Sequence, residues 1–91
     1  MAEKLQNILK ETASITGVPK GWILDTEPNY IAFSEGNFYK VNNAIVYRIP
    51  KKEVVLRNTY TGAEKVLATD VSESEALKIM RDFAKTDFQR L

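Results

Sequence analysis

Between Phe38 and Asp70 the chain alternates apolar and polar side chains residue by residue, with breaks at Asn42-Asn43, Pro50-Lys51-Lys52 and Tyr60-Thr61-Gly62. A two-residue period interrupted by turn formers at short intervals is the pattern of antiparallel strands folding back on one another. This stretch is a β-meander, and whatever precedes or follows must pack on its faces.

The turns set an expected register. Gly62 suits the left-handed position of a three-residue hairpin loop, which pairs Thr59 with Ala63, Arg57 with Lys65, Leu56 with Val66 and Val54 with Ala68. A four-residue loop over Pro50 to Glu53 sets Ile49 against Val54 and Tyr47 against Leu56. Three-residue loops at Val41-Asn42-Asn43 and Glu35-Gly36-Asn37 place Tyr39 opposite Ile45, Lys40 opposite Ala44 and Phe33 opposite Tyr39. One face then collects Ile31, Phe33, Tyr39, Ile45, Tyr47, Ile49, Val54, Leu56, Val66 and Ala68 as the core. The other collects Tyr30, Ala32, Phe38, Lys40, Asn42, Ala44, Val46, Arg48, Val55, Arg57, Lys65 and Leu67. A slip of one residue exchanges the two sets, and Asn42-Asn43 fits a two-residue turn equally well.

Helical periodicity flanks the meander. Glu3 to Thr16 brings Leu5, Ile8, Leu9, Thr12, Ala13 and Thr16 to one side, and Gly17 with Pro19 ends the segment. Trp22 to Thr26 reads as a short strand that Pro28 confines to an edge or to an extended lead-in, with Trp22 plugging one end of the core. Asn29 to Ser34 is the first full strand. After Asp70, Ser72 and Glu75 form an S-x-x-E capping box. From it runs a helix carrying Ala76, Leu77, Met80, Phe83, Ala84, Phe88 and Leu91 on one stripe. The expected fold is α+β: residues 1–91 as one domain, an antiparallel meander of four or five strands between an N-terminal and a C-terminal amphipathic helix.

Composition narrows the function. The chain has 91 residues, 44% hydrophobic and 27% charged, with neither cysteine nor histidine. That leaves no disulfide and no thiolate or imidazole for metal binding or catalysis. No apolar run reaches the ~20 residues that span a bilayer, and the N-terminus lacks a secretory pattern, so a cytoplasmic protein is expected. Glu73 and Glu75 point apart, Asp82 and Asp87 read as solvated, and the four glycines stand singly in turns. No enzyme, cofactor or metal is expected.

Charge is uneven. Net charge is +1, yet residues 36–67 hold six basic and two acidic side chains. If both helices cover the core face, the second face exposes Phe38, Val46, Val55 and Leu67 among Lys40, Arg48, Arg57 and Lys65. A mixed apolar and cationic face of this kind marks an interface. The expected function is contact: a protein-binding or accessory subunit, or a homodimer, using Tyr30, Phe38, Lys40, Val46, Arg48, Lys51, Lys52, Val55, Arg57, Tyr60 and Lys65. The alternative is single-stranded nucleic acid on the same face, with the cations on phosphates and Tyr30, Phe38 and Tyr60 stacking on bases. The helix–sheet–helix order is similar to that of double-stranded RNA-binding domains. Acidic Ser72-Glu73-Ser74-Glu75 replaces the basic run that opens their last helix, which argues against that function.

Overall fold

The computed structural model describes residues 18–36 and 42–91. They form five strands, β1 (Trp22–Glu27), β2 (Tyr30–Glu35), β3 (Asn43–Arg48), β4 (Glu53–Asn58) and β5 (Glu64–Ala68), followed by one helix, α1 (Glu73–Ala84). The strands make a single antiparallel sheet in sequence order. The expected N-terminal helix and the expected strand residues Phe38, Tyr39 and Lys40 lie outside the described residues.

The core side follows the alternation. Ile31, Phe33, Ile45, Tyr47, Val54 and Leu56 are buried and join Ala76, Leu77 and Met80 of α1 in one cluster. The helix packs on β3 and β4. Its start is the expected cap, the Glu75 N–H donating to Ser72 Oγ at 3.3 Å, although the Glu75 carboxylate takes the Ser72 hydroxyl rather than its backbone N–H. It stops earlier than its apolar stripe. The Thr86 hydroxyl donates to the Phe83 carbonyl at 2.7 Å and its N–H to the same oxygen at 3.0 Å, closing the last turn. Phe88 therefore reaches the core from a non-helical tail, 4.7 Å from Phe83 and 6.0 Å from Trp22 between ring centroids.

That tail is fastened by buried amides. Leu91 exchanges hydrogen bonds with the Asn43 side chain, and its carbonyl accepts from Asn58 Nδ2 at 2.8 Å. Arg90 pairs with buried Glu35 at 2.7 Å, and the other carboxylate oxygen of Glu35 accepts from the Asn43 N–H. Asn42 and Asn43, expected in a turn, are instead 3% and 0% exposed at the end of the sheet.

Three pairings differ from expectation. Phe33 lies directly opposite Ile45, so β2 neighbours β3 with no strand between them, and its other neighbour is β1. At that corner the Gly36 N–H donates to the Gly21 carbonyl at 2.7 Å, and a Cβ on Gly36 would stand 2.4 Å from the same oxygen. Only glycine allows that approach. Across β3 and β4, Tyr47 faces Val54 and Arg48 faces Glu53, two residues from the expected register, which leaves the faces unchanged.

The third difference changes a face. Asn58 Oδ1 accepts from the N–H groups of Tyr60 and Thr61, and the Gly62 N–H reaches the Asn58 carbonyl, so the β4–β5 loop is one residue longer than expected. Arg57 then faces Glu64 rather than Lys65, and Leu56 faces Lys65 rather than Val66, until a bulge restores the pairing of Val54 with Ala68. Leu67 and Ala68 both turn toward the core, while Val66 is 55% exposed on the other side. Burying the larger leucine is the gain that offsets the irregular ladder.

Candidate functional site

Register places the second-face side chains in three rows that cross the sheet. Ile23, Ser34, Ala44, Arg57 and Glu64 form the first; Asp25, Ala32, Val46, Val55 and Val66 the second; Glu27, Tyr30, Arg48 and Glu53 the third. The middle strands carry the small residues of this map. Ala32, Ser34 and Ala44 stand low, whereas Tyr30, Arg48 and Arg57 stand high around them. The result is a groove of about 520 Å³ along β2 and β3, running from Asn29, Tyr30, Pro50 and Lys51 at one end to Ser34, Arg57 and Thr59 at the other. Among the described residues no helix packs on this side, since α1 contacts β3 and β4 from the core.

One wall of the groove is an ion network. Arg48 reaches Glu53 at 3.1 Å and also Glu64, and the same Glu64 oxygen takes Arg57 at 2.5 Å. Arg48 stands in the third row on β3 and Glu64 in the first row on β5, so their contact passes over Val55, which is fully buried. The hydrogen bond that Arg48 donates to Glu64, followed by the one it donates to Glu53, strengthens its hold on its own proton. Glu64 is held below the usual carboxylate range, chiefly by Arg48 and then by Arg57. At the opposite wall the Tyr30 hydroxyl donates to Asp25 at 3.1 Å. Burial, and then that hydrogen bond, raises the phenol above its ordinary value.

Of the eleven expected contact residues, Tyr30, Val46, Arg48, Lys51 and Arg57 line the groove. Val55 belongs to this face but is sealed rather than exposed. Lys65 is not on the expected face: opposite Leu56 it stands on the helix side of the exposed edge strand, and Glu64 takes the place expected for it. Leu67 leaves the face for the same reason. Lys52 and Tyr60 lie in turns outside the groove lining, the Lys52 carbonyl accepting from the Val71 N–H at 3.1 Å. Phe38 and Lys40 lie outside the described residues.

Among the described residues this register also removes the positive excess. Arg48, Arg57 and Lys51 are balanced on this side by Asp25, Glu27, Glu53 and Glu64, and the two arginines are committed to carboxylates. Ala32 and Ala44 were expected on this face but not as contact residues, and Ser34, Asp25, Asn29, Pro50 and Thr59 were not expected in the site at all. Small side chains at alternate positions of two neighbouring strands were the available signal.

Among the described residues no group of three acidic side chains is placed to hold a metal ion, and no helix is long and apolar enough to cross a membrane. No family model, curated protein or solved structure matches this chain.

Proposed function

We propose that the protein is a non-enzymatic interaction module working inside the cell, and that the second-face groove docks a segment of a protein partner. In this reading residues 3–16 add an N-terminal amphipathic helix to the described sheet and helix.

The observation that carries the reading is the groove itself: a floor of Ala32, Ala44 and Val46 with hydroxyl, phenol and guanidinium groups at its margins. An apolar floor with a polar rim is how protein interfaces are built, and a row of small side chains lets a partner backbone approach closely. At ~3.3 Å per residue the groove is roughly 20 Å long, a length suited to a polymer segment rather than a compact ligand. The cancelled charge favours protein over single-stranded nucleic acid, because affinity for phosphates rises with the number of uncommitted cations.

Affinity capture from the source cell, with and without nuclease, tests this reading. A stoichiometric protein should be returned in both cases and lost with Val46→Asp. A partner released by nuclease supports nucleic acid, and one retained by Val46→Asp rejects the groove.

A further inference from the structure

We propose that the outer edge of β5 is a strand-addition site for a partner protein, and that it takes an extended segment carrying an acidic residue opposite Lys65. This site is separate from the groove and stands whether or not the groove docks a partner.

β5 ends the sheet, and among the described residues no strand pairs with its outer side. It is open on both faces as well. The consecutive residues Glu64, Lys65 and Val66 are all exposed, whereas β1, the other edge, exposes only the alternate residues Ile23, Asp25 and Glu27. The difference follows from packing, since α1 lies over β3 and β4, and Trp22 and Leu24 of β1 join the core.

The phase of the ladder shows which backbone groups of β5 face outward. The Asn58 N–H donates to the Ala63 carbonyl at 2.8 Å. Hydrogen-bonded pairs alternate along an antiparallel ladder, so the next such pair is Leu56 with Lys65, and Arg57 with Glu64 and Val55 with Val66 fall between. Lys65 therefore directs its N–H and carbonyl to β4, while those of Glu64 and Val66 point away from the sheet. Outward donors and acceptors of this kind are a template for one more strand. Val66, 55% exposed, adds an apolar side chain that such a strand would cover.

Charge selects the occupant. Lys65 makes no ion pair among the described residues. In the antiparallel register that lets two copies of β5 use both Glu64 and Val66, Lys65 stands against Lys65, and like charges directly opposite each other destabilise paired strands. A second copy is thus repelled at the position where a carboxylate on another chain is attracted. Glu64 needs no new cation, being already held by Arg48 and Arg57. β-Branched residues on either side of the acid suit the places opposite Glu64 and Val66.

Backbone amide signals of the full chain test this, with the peptide acetyl-Thr-Val-Glu-Val-Thr-amide as the probe. At saturation the amide signals of Glu64 and Val66 should shift and their hydrogen exchange slow about tenfold, with exchange at Lys65, already bonded to β4, unchanged. The same peptide with lysine at its centre should bind about fivefold more weakly, and Lys65→Glu should reverse the preference. Val66→Pro removes an outward N–H without breaking the ladder to β4, and should abolish binding while the urea transition persists. The proposal is overturned if neither peptide perturbs these amides or if both bind equally. Shifts at Ala32, Ala44 and Val46 instead would also overturn it, by placing the segment in the groove and leaving docking there intact.

Discussion

The two sides of the sheet are built from alternate residues of the same strands, yet they solve different problems. On the core side Ile31, Phe33, Ile45, Val54 and Leu56 are at most 1% exposed and meet α1 in a dry cluster. Their immediate neighbours Ala32, Ser34 and Ala44 floor a groove walled by ion pairs. Large side chains fill space and hold the fold, whereas small ones beneath tall polar neighbours leave space for something else. Stability should therefore reside mainly on one side and recognition on the other.

The largest effect that tests this division is core truncation. Phe33→Ala should lower unfolding free energy by roughly 3–5 kcal/mol in urea titration, whereas half-buried Val46→Ala should cost about 1 kcal/mol or less. Equal costs would erase the distinction. Next comes the fastening of the tail. Asn58→Ala removes the acceptor for two loop N–H groups and the donor to Leu91, and should cost about 1–3 kcal/mol. Its amide-exchange signature should be faster exchange at both the β4–β5 loop and Leu91.

Smaller effects belong to the groove wall. Glu64→Gln should cost no more than about 1 kcal/mol, since its ion pairs are partly solvated. The sign with pH follows from its lowered pKa. The contribution is present above the ordinary carboxylate value and is lost as pH falls through the depressed folded value, so the two proteins should converge in acid. Smallest is Lys52→Gly. Lys52 adopts φ 53° in the β3–β4 turn, and relief of that strain should leave stability unchanged or raise it by up to ~1 kcal/mol.

Much of the core side was legible in the sequence. Alternation identified Ile31, Phe33, Ile45, Tyr47, Val54 and Leu56 as one set, and S-x-x-E marked the start of α1, because both signals depend on local geometry. Register did not share that property. The two-residue shift between β3 and β4 was invisible to alternation, which is unaltered by even slips. The one-residue change at β5 came from Asn58 binding its own loop, a side-chain event that placed Glu64 where Lys65 was expected. Since that step exchanges a cation for a carboxylate on the second face, and Asp25, Glu27 and Glu53 add to it, the charge of this face was the least readable feature. Asn43 misled for a related reason: an amide common in turns is here a buried clasp for Leu91.

Methyl resonances offer the sharpest reading of the two sides, because Ile31 and Ala32, like Ala44 and Ile45, are sequence neighbours facing opposite ways. On titration with the captured partner, the methyl signals of Ala32, Ala44 and Val46 should shift while those of Ile31, Ile45 and Val54 stay in place. Shifts confined to the core methyls, or absent from the groove at saturating partner, would contradict docking on the second face.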